Sequence, residues 1–313
     1  MAKVVIAEQI DPVGVELLKA AGCTLVELGL GGGVEITPEQ VGDAEVLLVR
    51  ITEVTRRLIE NCPNLRLISK HGVGVDNIDM EAAKERGVAV TITPGANSTS
   101  VAEHSFALLM ALAKNLPEVC GKYREIGFGA KNCAPGIELT GKTLGVIGCG
   151  RIGSRISQMA HGGFGMRVLA YDPYITEAPD GVELVSDRDR VFRESDFVTL
   201  HPVLNKETEG SVGAREFALM KRGAIFINCG RGPLIDEQAL IDALQSGHLG
   251  GAGLDVTAQE PCPPENPLFH MSNVLLTPHY APTTTEAAAA VSRMAAQNTI
   301  DFLENKPVEG RLV

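Results

Sequence analysis

The chain has 313 residues and a formal net charge of −11, from 28 Lys+Arg against 39 Asp+Glu. That length suffices for two domains with separate cores, and 44% hydrophobic with 21% charged residues is a folded-globular balance that excludes wholesale disorder. An isoelectric point near 5.2 argues against a nucleic-acid or anionic-membrane surface, which needs a basic patch, so an acidic ligand must be met by local cations or amides.

The opening run, Met1-Ala2-Lys3-Val4-Val5-Ile6-Ala7-Glu8, is too short and too soon acidic for a secretory signal. Strands are expected at Lys3–Ala7, Thr24–Leu28, Val46–Arg50, Leu65–Ser69 and Val88–Ile92. A second series is expected at Thr143–Gly148, Arg167–Tyr171, Phe197–Leu200, Ala224–Asn228, Gly253–Val256 and Val274–Leu276. Most are continuously apolar and bounded by Gly, Pro or Asp, as in parallel strands covered on both faces. The intervening segments are long enough for crossover helices, so the pattern predicts an α/β fold with two doubly wound parallel sheets.

Between the series, Ser100-x-x-Glu103 has the form of a capping box ahead of an apolar helix, Phe106–Ala113. That run is far shorter than the roughly 20 residues of a membrane span, so it is expected to be buried between lobes or in a dimer seam. The last segment, Thr285 to Asn305, is helical with no strand after it and needs a surface to cover. The expected division is therefore a discontinuous lobe, residues 1–98 with 284–313, around an inserted lobe, 99–283.

Seven cysteines (23, 62, 120, 133, 149, 229 and 262) contain no C-x-x-C. Neither a disulfide framework nor a metal site is expected, and a reducing cytoplasm is the expected setting. Cys149 and Cys229 have no adjacent His to form a thiolate and read as small buried thiols.

Gly148-Cys-Gly150-Arg151-Ile152-Gly153 is G-x-G-x-x-G placed after a strand and opening a helix. The next strand ends in Asp172, 19 residues beyond Gly153, where an acid takes a ribose 2′-hydroxyl. Gly148 permits the turn, Gly150 lets backbone approach a pyrophosphate, and Gly153 lets helix and strand pack closely; the helix N-terminus meets the phosphate charge. An acid at 172 repels a 2′-phosphate, so NAD(H) is expected over NADP(H).

Three loops after second-series strands carry groups for reducing a ketone. Asn228-Cys229-Gly230-Arg231-Gly232 offers an Arg that binds a carboxylate bidentately and polarises a carbonyl. Asp255 and Glu260 follow the next strand, and His279 the last. An imidazole paired with a carboxylate favours its protonated form and carries a proton near neutrality. Each alone is readable as a solvated Arg or a capping His; their common sheet edge points to function.

With these motifs the chain resembles the D-isomer-specific 2-hydroxyacid dehydrogenases, nearest the phosphoglycerate dehydrogenase branch. The resemblance runs through Lys70 to Asp79, Asn97 to Glu103, Gly148 to Asp172, Ile227 to Glu237, Gly253 to Pro261 and Thr277 to His279. It implies two Rossmann-like lobes with the active site in a cleft between them. It further implies Arg231 on the substrate carboxylate and carbonyl, His279 as acid/base, and Glu260 tuning His279. Val73 and Gly74 are implied to grip the carboxylate through their amides. Arg151, Ile152, Asp172, Cys229, Gly230, Asp255, His279 and Ala281 are implied to line NAD, with Asp255 near the carboxamide. A homodimer through the cofactor lobe is implied as well.

Two departures stand out. The family usually has a small residue and Gly after the His; here the run is Tyr280-Ala281-Pro282-Thr283, and proline removes an N–H. It also tends to have His-x-Pro where this chain has His201-Pro202-Val203, a loop that covers a cofactor ribose in relatives.

Substrate choice is expected in the first lobe. Arg50 and Lys70 stand where basic residues meet a substrate phosphate in the phosphoglycerate branch; alternatively Arg50 bridges to an acid such as Glu53 and Lys70 is solvated. Phosphoglycerate (as 3-phosphohydroxypyruvate) stays open against hydroxypyruvate or glyoxylate. At 313 residues, no additional regulatory domain and no feedback through one are expected. A reading from another class, an NADH-sensing corepressor, is distinguished by turnover of 2-oxoacids; the Arg231–Glu260–His279 set favours an enzyme.

Overall fold

Val, Ile and Leu runs punctuated by Gly and Asp pair into two wholly parallel sheets in the computed structural model, which describes residues 1–31 and 34–313. The first sheet comprises β1 (Lys3–Ile6), β2 (Thr24–Glu27), β3 (Val46–Val49), β4 (Leu67–Lys70) and β5 (Ala89–Thr91), in the order β2-β1-β3-β4-β5. The second comprises β6 (Thr143–Ile147), β7 (Arg167–Tyr171), β8 (Val182–Leu184), β9 (Phe197–Leu200), β10 (Ile225–Asn228), β11 (Gly251–Leu254) and β12 (Val274–Leu276). Its order is β12-β11-β10-β9-β6-β7-β8, which reverses between β6 and β9. Apolar clusters cover both faces of each sheet, so the protein is α/β and doubly wound.

Three differences from the sequence pattern have local causes. β8 is a three-residue edge strand whose central Glu183 binds Arg167 and Arg190, so it carries no apolar run to read. β11 starts two residues early because Gly251 pairs with Ile225, which leaves Asp255 in the loop beyond the strand. β4 likewise runs to Lys70, paired with Val49, so Lys70 belongs to the sheet itself.

The chain divides into two compact units, Met1–Asn97 with Thr283–Val313, and Ser98–Pro282. In the first, the Thr285–Leu303 helix lays Ala295 and Ala296 against Val4, Ile6, Val46, Leu48 and Leu67. Ser69 Oγ donates to the Ala295 carbonyl at 3.1 Å. The same helix packs on the Pro12–Ala20 helix, where a Cβ on Gly14 would stand 2.8 Å from the Ser292 carbonyl oxygen. Glycine is thus required there by backbone approach. Gly14→Val should lower stability by about 1–3 kcal/mol through overpacking, read as a lower urea midpoint; an unchanged midpoint would show that the helices separate freely.

Candidate active site

The glycine turn sits where the second sheet's strand order reverses, the position at which doubly wound sheets bind ligands. Gly148 has φ of 85°, and a Cβ there would lie 2.5 Å from the Pro202 nitrogen at the end of neighbouring β9. A Cβ on Gly153 would fall 2.1 Å from the Gly148 carbonyl oxygen, so only glycine lets the Arg151–Gln158 helix close on β6. Above Gly150, by contrast, the space is open. The helix begins at Gly150 without a side-chain cap, which leaves the Arg151 and Ile152 amides to an anion. Asp172 is fixed at the tip of β7: its Oδ2 accepts from Cys149 N and its Oδ1 from Tyr174 N, both at 2.9 Å, with lone pairs left for hydroxyl donors.

His201, after β9, has its Nε2 2.9 Å from Thr199 Oγ1, and burial pushes its pKa down to about 3. Its Nδ1 is buried with no partner among the described residues. An open glycine cradle, an uncapped helix start, an anchored acid and an orphaned imidazole nitrogen fit a dinucleotide better than a purely structural turn. Arg151 is exposed and Ile152 half-buried, whereas Pro202 follows His201 and abuts Gly148.

The proposed chemical groups come from the carboxyl ends of β10, β11 and β12. After β10, Asn228 ties the loop by accepting from Gly230 N and donating to the Arg231 carbonyl, each at 3.0 Å. Arg231 Nη1 also donates to the Gly230 carbonyl at 2.8 Å. After β12, His279 adopts a left-handed backbone with φ of 53°, and its Nδ1 lies 2.8 Å from Glu260 Oε2. Imidazole and carboxylate are each about two-fifths exposed, open to a ligand and to solvent. The pair engages the ring through Nδ1, which leaves the other ring nitrogen, Nε2, available to a ligand.

Asp255 fixes this arrangement from beneath. It is 1% exposed, and its carboxylate accepts from Thr277 Oγ1 at 2.5 Å, Tyr280 N at 2.7 Å and Ala281 N at 2.8 Å. Its carbonyl accepts from His279 N at 2.8 Å. The observed work of Asp255 is to shape the loop carrying His279. The Tyr280-Ala281 amides needed for this precede Pro282, so the missing proline N–H removes neither donor.

In the first unit, expected partners change. Arg50 is exposed, and its Nη1 donates to the Gln9 carbonyl at 3.0 Å, not to Glu53. Lys70 is buried rather than solvated: its ammonium donates to the Arg50 carbonyl and, at 2.5 Å, to Asn77 Oδ1. Glu8, which sequence patterning passes over, accepts from the amides of Arg50, Ile51 and Thr52 at 2.8, 2.7 and 2.6 Å. The Val73 and Gly74 amides have no partner among the described residues, and the adjoining Gly72 has φ of 141°.

The Ser98–Ala113 helix also departs from expectation. It begins two residues before Ser100, whose Oγ donates to the Ala281 carbonyl at 2.5 Å instead of capping. Its apolar residues Phe106, Leu108, Leu109 and Ala113 are buried in the core of their own unit, so they form no exposed seam. Exposed apolar side chains instead follow: Leu116, Tyr123, Ile126 and Phe128, the last 78% exposed. A cavity of about 260 Å³ lined by Asn115, Glu118, Gly223 and Asn273 lies at the amino edge of β10–β12, away from the chemistry. Among the described residues, no cluster of His, Cys, Asp and Glu could hold a metal ion, and no helix is long and apolar enough to cross a membrane.

Comparison with known proteins places residues 106–281 in the family described as D-isomer specific 2-hydroxyacid dehydrogenase, NAD binding domain. The chain is 42% identical over 99% of its length to a D-3-phosphoglycerate dehydrogenase of Methanocaldococcus jannaschii, but spans only 59% of that relative. It is 40% identical to a glyoxylate reductase of Korarchaeum cryptofilum over 84% of this chain and 81% of the relative. The solved D-lactate dehydrogenase of Escherichia coli is similar at TM-score 0.85 and 30% identity, covering 99% of this chain and 100% of that one.

Thiol chemistry provides a check on the site's burial. Desolvation raises the Cys149 thiol and pushes Cys229 up to about 12, so both stay protonated at neutral pH. At about pH 8, iodoacetamide should label exposed Cys120 and Cys133 and spare Cys149 and Cys229, as read by peptide mass spectrometry. Labelling of Cys229 as fast as Cys120 would contradict the closed packing behind the Arg231 loop.

Proposed function

The chain belongs to the D-isomer-specific 2-hydroxyacid dehydrogenase family, and we propose from that premise that it interconverts a small 2-oxo acid and its D-2-hydroxy acid with NAD(H). The observation that carries this reading is the His279–Glu260 pair, 2.8 Å apart, on the sheet edge that also presents Arg231. Bound NADH supplies the hydride. Arg231 binds the substrate carboxylate and draws electron density from the carbonyl, and His279 Nε2 gives the proton to the resulting alkoxide. Glu260 holds the imidazole and compensates its positive charge. Asp172, facing the ribose, disfavours a 2′-phosphate and makes NAD(H) the preferred cofactor over NADP(H). Val73 and Gly74, with their unpartnered amides, remain the proposed anion-binding turn of the first unit.

For the substrate, 3-phosphohydroxypyruvate is supported by the likeness to a D-3-phosphoglycerate dehydrogenase and by exposed Arg50. Glyoxylate or hydroxypyruvate is favoured by one specific observation: the Lys70 ammonium already donates to Asn77 and to the Arg50 carbonyl. Initial rates with NADH and NADPH on these three acids and on pyruvate decide the matter. NADH oxidation should be faster than NADPH oxidation, and His279→Ala should cut turnover by about 10²–10⁴-fold with NADH affinity nearly intact. Tight NADH binding without turnover of any acid would favour a sensing protein instead.

A homodimer through the cofactor-binding unit is proposed with its seam on Leu116–Phe128, because the helix Leu116–Ile126 has no buried residue. Sedimentation should give a dimer at about micromolar concentration and a monomer for Tyr123→Glu/Phe128→Glu. A monomeric wild type would refute it.

A further inference from the structure

The Ser98–Ala113 helix reaches the His279 loop at two points one helical turn apart. Ser100 Oγ holds the Ala281 carbonyl at 2.5 Å, and His104 Nε2 lies 3.1 Å from Thr277 Oγ1. The loop from 277 to 281 is therefore clamped at both ends, with His279 between. His104 is mostly buried, with its side chain 18% exposed, and its ring meets that of Tyr280 edge-on at 6.1 Å.

The direction of the hydrogen bonds follows from the donor inventory. The Asp255 carboxylate only accepts, so the single hydroxyl proton of Thr277 goes to Asp255 Oδ1. Thr277 Oγ1 must then accept from His104, which places a proton on His104 Nε2. That N–H also lies 3.6 Å from Asp255 Oδ1, beside a carboxylate that is 1% exposed and needs every available donor.

We propose that His104 is a positioning residue for the proton donor, acting through Thr277 and Asp255 to hold the left-handed backbone of His279. Its imidazole does not touch the reacting atoms; it fixes the hydroxyl that completes the set of donors around the Asp255 carboxylate. The inference rests on the dehydrogenase reading only for its kinetic consequence. The geometric consequence is independent of it.

Two variants and two readouts test this. With NADH and glyoxylate, hydroxypyruvate or 3-phosphohydroxypyruvate, His104→Ala should lower kcat about tenfold while KM and NADH affinity stay within about twofold. His104→Gln, whose amide N–H reaches the same hydroxyl, should recover most of that loss. Thr277→Val should match His104→Ala, and the double variant should be no slower than either single one. An unimpaired His104→Ala, a Gln variant as slow as the Ala variant, or multiplying losses in the double variant would overturn the proposal. Imidazole NMR of the wild-type and variant chains supplies the second readout. The His279 ring resonances should move in His104→Ala and return in His104→Gln; unmoved resonances would also overturn the proposal. A wild type that reduces none of the three acids refutes the dehydrogenase reading, and the NMR comparison still decides the role of His104.

Discussion

A carboxylate removed from water must find donors, and Asp255 dictates where the chain goes next by finding them one after another in a single loop. Thr277, Tyr280 and Ala281 donate to its side chain and His279 to its carbonyl. A non-glycine residue in the left-handed region costs on the order of 1 kcal/mol, and it persists where neighbours over-determine the backbone. Here the neighbours are four bonds to one residue. The reach of His279 toward Glu260 is therefore set by a buried acid beneath the loop.

The first unit solves a similar problem in a similar way. Glu8 follows β1, and the Arg50–Thr52 turn follows β3, the neighbouring strand across the reversal in that sheet. Three successive amides converge on its carboxylate, while Lys70 and Asn77 hold the Arg50 and Thr52 carbonyls from the other side. The net charge of −11 thus includes acids used as loop anchors as well as solvated ones. A cation that looks available in sequence, Lys70, turns out to be part of the same anchoring.

What was legible in sequence is what depends on local geometry. Gly148, Gly150 and Gly153 announce themselves because a positive φ, an open approach and a close helix contact each exclude side chains, and their spacing is fixed by one turn. The nearness of Glu260 to His279 follows from parallel strands delivering their loops to one edge, where Arg231 also follows β10. Partner choice across long separations was not readable. Nothing around Lys70 says that its ammonium will meet Asn77, nor around Glu8 that it will meet amides 42 to 44 residues away. The apparent capping box at Ser100 failed for the same reason, since a distant carbonyl at Ala281 competed for the hydroxyl and the helix began earlier. β8 is silent in the sequence because an edge strand held by ion pairs has no apolar signature.

The apolar helix after residue 98 shows why composition alone misplaces a seam. A Cβ on Gly253 would come within 2.9 Å of Leu108 Cβ, so the helix lies almost on the backbone of β11 and needs apolar residues on a broad face. Its polar positions Ser100 and His104 are left for the loop beyond β12. The surface that lacks a covering belongs to the next helix, Leu116–Ile126, whose start shares the amino edge of the sheet with Gly223 and Asn273. A second copy seated there would bury Tyr123 and Phe128 at the edge opposite to Arg231 and His279. Such an association would occupy the opposite end of the same strands from Arg231 and His279, and would leave the loops after β10, β11 and β12 unconstrained.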